Sequence, residues 1–286
     1  MNEILFSIIL LFGSIFAGFI GALTGLGGGI IIVPMLTLGL GVPMKYAVAA
    51  SLISVIGTSS GAAAAYVKEG ITNMQVGMFL QIATTIGAIL GAILVVWIKI
   101  PVDILGIVFG LVLLFTAFMT AQKKPDHCIP IVQGSSAEKL QLYGSFVQEG
   151  KEVVYGSKNP FLGSIIMTVA GFLSGLLGVG GGVFKVLAMD NIMRLPFKVS
   201  TTTSNFMIGV TALASSIIFF MGGYVIPQIA APILIGIILG AMMGSKLLLK
   251  IKVDTLKRVF AVVVVVIAVY MIYNGFVGNF SLKQHH

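Results

Sequence analysis

Three kinds of residue in this chain could together hold an anion in a medium of low dielectric. Gly27, Gly28 and Gly29 form one run of glycines, and Gly180, Gly181 and Gly182 form another. Such a run breaks a helix, because each Gly costs about 1 kcal/mol relative to Ala in a helix interior. The helix that restarts after the run offers backbone N–H groups without intrahelical partners and about half a positive charge. Lys185 stands three residues after Gly182, in the first turn of the second restarted helix. Ser51 and the cluster Thr202, Thr203, Ser204 and Asn205 add hydrogen-bond donors without adding charge. An ammonium at the bilayer centre costs about 2.5–3.5 kcal/mol on insertion scales, so Lys185 calls for a negative partner unless it snorkels to the surface. These residues are therefore the expected binding site for a small anionic substrate, lying between the two glycine runs. The same residues have plainer uses in close helix packing and in hydrogen bonds between helices.

Acids are scarce in the apolar runs. Asp190 falls at membrane depth and Arg194 follows four residues later, so an ion pair along one helix face is expected; proton coupling through Asp190 is the alternative. No His lies in an apolar run and no His-Glu-x-x-His occurs, so the chain reads as a protein without catalytic residues. His127 and Cys128 lack partner ligands, which leaves no metal or cofactor to expect.

The elements that must position these groups follow from composition. Of 286 residues, 58% are hydrophobic and 9% charged, and runs of bilayer length recur, which defines an all-α polytopic membrane protein. The net charge of +8 resides largely at the ends of these runs, as membrane orientation requires, so nucleic acid is not an expected partner and membrane lipid is. Apolar segments run over 4–24, 29–40, 46–67, 74–98 and 103–121, then over 160–178, 182–193, 199–221, 227–249 and 255–275. The halves are an internal repeat: AGFIGALTGLGGG from Ala17 returns as AGFLSGLLGVGGG from Ala170, and at the same shift of 153 residues Pro43 meets Pro196, Ser51 meets Ser204 and Thr58 meets Thr211. The chain thus divides into a first transmembrane repeat (1–121), a polar linker (122–159), a second repeat (160–284) and a terminal His pair (285–286) that looks like a tag remnant. In the linker, Ser135 and Glu138 have capping-box spacing and predict a short helix over about 137–148, while Val153 to Tyr155 is too short a run to assign.

The second segment of each half is too short to cross alone, at roughly 18 Å against about 30 Å of hydrocarbon. It either returns from the glycine break, giving five passes per half and inverted halves, or dips and re-emerges, giving four passes and parallel halves. With five, one face collects Lys68, Lys123, Lys124, Lys158, Arg194, Lys198, Lys246, Lys250, Lys252, Lys257 and Arg258, and the other keeps Lys45, Lys99 and Lys283. Positive charge favours the cytoplasmic side, which predicts inverted halves and a cytoplasmic linker in a cell-membrane protein. Oligomeric state and coupling ion stay open.

GLGGG followed by VPML at Val33 to Leu36, then VPMKYAVAAS over Val42 to Ser51, resembles the TauE/SafE family of membrane proteins. GVGGGVFKVLAM with RLPFKVSTTTS is similar to that family's second repeat, although Leu187 stands where the first half has Pro34. The resemblance implies an exporter of sulfite or an organosulfonate. An anion channel, or a carrier of another small anion such as a carboxylate or sulfur compound, is the alternative.

Overall fold

The computed structural model describes residues 3–24, 27–68, 70–98, 100–121, 136–148, 151–248 and 253–278. The first half contributes α1 (Glu3–Thr24), α2 (Gly29–Pro34), α3 (Met44–Lys68), α4 (Met74–Val96) and α5 (Val102–Ala121). The linker holds α6 (Ser136–Lys139), β1 (Gly144–Gln148) and β2 (Lys151–Tyr155). The second half contributes α7 (Pro160–Leu177), α8 (Gly182–Leu187), α9 (Phe197–Met221), α10 (Pro227–Leu248) and α11 (Val253–Val277). Among the described residues α1, α4, α5, α7, α9 and α10 are long and apolar enough to cross a bilayer. Their outer faces carry Phe12, Phe16, Ile82, Ile86, Leu90, Phe118, Ile165 and Phe220, each more than half exposed, a belt suited to lipid rather than water. The chain is an all-α polytopic membrane protein with one small sheet.

The short helices do not end with α2 and α8. Each runs on as a π-helical stretch, Met35–Gly39 in the first half and Ala188–Ile192 in the second. The closing hydrogen bonds are repeat-related: Leu40 N–H to Met35 O (3.2 Å) matches Met193 N–H to Ala188 O (3.0 Å), and Val42 N–H to Leu36 O matches Leu195 N–H to Met189 O, both 2.9 Å. Pro34 precedes the first π stretch and Leu187 the second, so proline is not what widens the turn.

Packing exchanges helices between the halves. α1 packs along α10 and its counterpart α7 along α4; α3 crosses α9, and α5 lies against α11. The α4–α7 pair is in backbone contact: Gly87 and Gly91 face the carbonyls of Thr168 and Phe172, while Gly171 and Gly175 face those of Thr84 and Ala88. In the other pair Gly240 and Gly244 face the carbonyls of Ile15 and Phe19. A side chain at any of these places would drive the helices apart.

The linker corrects the helix expected over 137–148. Among the described linker residues only Ser136–Lys139 is helical, and Gly144–Gln148 and Lys151–Tyr155 pair as antiparallel strands in which Phe146 meets Val153 and Gly144 meets Tyr155. The reason is a period of two: Phe146 and Tyr155 are buried while Ser145, Glu152 and Val154 face outward, and alternation with β-branched and aromatic residues outweighs a capping signal. The hairpin is moored through Asn73. The Asn73 side chain accepts from Val76 N–H (3.0 Å) at the start of α4 and donates to Tyr143 O (3.1 Å) and the Tyr155 hydroxyl (3.0 Å), while its N–H donates to Thr203 Oγ1 (3.1 Å). Burial pushes the Tyr155 phenol up, with the bond from Asn73 opposing in part, so it stays protonated at neutral pH. Asn73→Ala removes a helix cap worth about 1 kcal/mol together with the mooring. It is expected to lower the thermal midpoint of the purified protein and to speed tryptic cleavage after Lys151; an unchanged digest would mean that the hairpin is held elsewhere.

Candidate functional site

The two glycine runs meet at the crossing of α3 and α9. Gly27 and Gly180 are repeat counterparts, both in left-handed backbone with φ of 79° and 74°, and both pack against Val55 and Ile208. Those two residues are themselves counterparts, near the midpoints of helices of 25 residues each. A Cβ built on Gly29 would stand 2.6 Å from Gly178 O, across the boundary between the halves. The breaks are thus joined at mid-depth in the bundle.

Much of the expected hydroxyl set clips these breaks to the long helices. Ser51 donates to Gly178 O (2.6 Å), Ser204 donates to Gly182 O (3.2 Å), and Thr58 Oγ1 accepts from Gly28 N–H (3.3 Å). Thr202 donates to Lys198 O and Val199 O, both 3.1 Å away, and Thr203 accepts from Asn73. Thr202 and Thr203 therefore serve the hairpin end of α9, while Ser51 and Ser204 serve the break.

Lys185 has no exposed surface, so it does not snorkel. Its Nζ donates to Thr211 Oγ1 at 2.7 Å, and among the described residues no carboxylate pairs with it. Thr211 in turn donates to Met207 O (2.8 Å) and accepts from Gln81 Nε2 (3.1 Å), which also reaches Thr85 Oγ1 at 2.8 Å. Around the same break, buried side-chain atoms of Ser174, Thr201, Asn205 and Gln81 have no partner among the described residues. Buried polar groups are almost always paired, so these atoms are available to a further hydrogen-bonding group.

All of this polarity gathers at the second of the two breaks, with Gln81 and Thr85 reaching it from the first half. The counterparts of Lys185, Gln81, Thr85, Thr201 and Asn205 are Ile32, Leu234, Ile238, Val48 and Leu52. Thr58 and Thr211 correspond, but one hydroxyl meets a backbone N–H and the other an ammonium. Gln81, Thr85, Thr211 and Ser174 were not among the expected site residues. A glutamine inside the apolar helix α4, facing a leucine in the repeat, was the signal for them.

Asp190 lies in the second π stretch, only 2% exposed. Arg194 is exposed and lies beyond the helix with φ of 55°, and it makes no ion pair with Asp190. The expected pairing assumed α-helical turns through residue 194, whereas here the turn widens and the helix stops at Ile192.

Interrupted helices within a bundle of bilayer-length helices recur in transporter folds. The model of the family described as "Sulfite exporter TauE/SafE" matches residues 10–271, and the chain belongs to this family. It is 28% identical over 284 residues to the probable membrane transporter protein YunE of Bacillus subtilis, covering 94% of this chain and 98% of that one. It is 24% identical to the probable membrane transporter protein YfcA of Escherichia coli K12, covering 93% and 90%. To the probable membrane transporter protein MJ0441 of Methanocaldococcus jannaschii it is 27% identical, covering 89% and 91%. No solved structure matches the chain. Family and relatives point to a membrane transporter rather than an enzyme.

Proposed function

We propose that the protein is a carrier that exports a small oxyanion, sulfite or an organosulfonate, across the cell membrane. The observation that carries this reading is Lys185, fully buried at the joined helix breaks with a neutral hydroxyl as its hydrogen-bond partner. An ammonium in that setting is stabilised by an arriving anion, since charge-assisted hydrogen bonds are roughly twice as strong as neutral ones. Two helix starts near it favour the same sign of ligand. The family description supplies the choice of sulfur oxyanions.

In this reading residues 1–121 and 160–284 are inverted repeats joined by a cytoplasmic linker. The exchange of partners, α1 on α10 and α7 on α4, supports it, as does the excess of Lys and Arg on the linker side. Cys128 is the single cysteine and lies outside the described residues, in the linker. It is expected to react with a membrane-impermeant maleimide in lysed but not in intact cells; equal labelling would overturn the topology. For the function, sulfite and methanesulfonate flux is measured in liposomes holding the purified protein, with and without a pH gradient. Saturable flux with counter-flow is expected. Unsaturable flux would make the protein a channel, and absent flux would end the anion reading.

A further inference from the structure

We infer that Gln81 sets the specificity of this buried polar cluster by demanding an anion that brings its own hydrogen-bond donor. The inference rests on the reading of the cluster around Lys185 as the anion's seat. A hydroxyl has one hydrogen, and that of Thr211 goes to Met207 O, 2.8 Å away. Thr211 Oγ1 can therefore only accept from its other neighbours. The Gln81 atom 3.1 Å from it must be the amide NH₂, which also spans to Thr85 Oγ1. That orients the other end of the amide: Gln81 Oε1 is buried and has no partner among the described residues.

Lys185 Nζ and Gln81 Nε2 bond the same oxygen, so the amide that carries the unpartnered Oε1 stands next to the ammonium, and an anion seated on Lys185 is within reach of it. One group calls for a negative acceptor and the other for a donor. A bare apolar sulfonate satisfies Lys185 and leaves Gln81 Oε1 buried and unpaired, which is costly. An anion with an added O–H or N–H satisfies both. The first break has no such requirement, because Ile32 and Leu234 stand in the equivalent places around it.

Ethanesulfonate and 2-hydroxyethanesulfonate share the charged group and differ by one donor, and their binding to detergent-purified protein can be compared by calorimetry. The wild type is expected to prefer the hydroxylated anion by about tenfold or more. Gln81→Leu, which installs the residue found at position 234, is expected to bring the two affinities together. Gln81→Glu places a carboxylate near Lys185 and is expected to weaken both anions by about tenfold or more. Equal affinities in the wild type, a preference that survives Gln81→Leu, or tight binding to Gln81→Glu would each overturn the inference while leaving the carrier reading intact. Failure of the wild type to bind either probe, together with absent sulfite flux, would overturn both.

Discussion

Lys185→Met protein is expected to fold, to melt no lower than the wild type in the absence of anions, and to lose anion binding by about tenfold or more. The two halves of this result have opposite causes. A charge buried without a counter-charge destabilises the empty protein, and replacing it by an apolar side chain of similar volume is often neutral or stabilising. The same charge provides the strongest single bond to a bound oxyanion, worth about 1.5–3 kcal/mol. Thr211 keeps its donation to Met207 O and its bond from Gln81, so the rest of the pocket stands. Thermal denaturation and calorimetric titration on one preparation check both signs. A variant that melts lower yet binds sulfite or sulfonate normally would assign Lys185 to structure and remove it from the site.

The second large effect separates two glycines that look interchangeable in the sequence. Gly181→Val and Gly28→Val are both expected to abolish transport, but the alanine variants should diverge. Gly181 has φ of 64°, in the left-handed region where a Cβ is disfavoured by about 1–2 kcal/mol. A Cβ there would also stand 2.6 Å from Ala170 O, a backbone atom that cannot step aside. Gly28 has an ordinary φ of −66°, and its added carbon would meet Ile237 Cδ1 at 2.5 Å, the far end of a side chain able to rotate. Gly181→Ala is thus expected to cut flux in liposomes by about tenfold or more, and Gly28→Ala to stay within a few-fold of wild type. Equal loss from both alanines would mean that close packing at mid-depth, rather than backbone conformation, makes the glycines necessary.

The breaks were legible because three consecutive glycines in an apolar run have few explanations, and because the pattern recurs at a fixed shift. Lys185 stood out for a related reason: a cation in an apolar segment is expensive wherever it points. The hairpin was less visible, since its alternation spans only Gly144 to Tyr155 and competes with a capping signal at Ser135 and Glu138. The partners of the hydroxyls could not be read at all. Ser51 and Gly178 are 127 residues apart, Asn73 and Thr203 are 130 apart, and nothing local records such meetings. Gln81 was not legible from the repeat, because agreement between the halves marks the shared scaffold, whereas the polarity around Lys185 lies where the halves differ.

The backbone-to-backbone seating of α1 on α10 and of α7 on α4 has a consequence for biosynthesis. Helix α1 leaves the ribosome about 200 residues before its seat on α10, which residues 227–248 make. The N-terminal half therefore cannot close on itself as it is translated, and must wait in the bilayer with the small-residue face of α1 uncovered. Contacts this distant in sequence make for slow folding and long exposure of half-built surfaces. Maturation of this fold waits on α10, so a truncation that removes α10 leaves α1 without a seat.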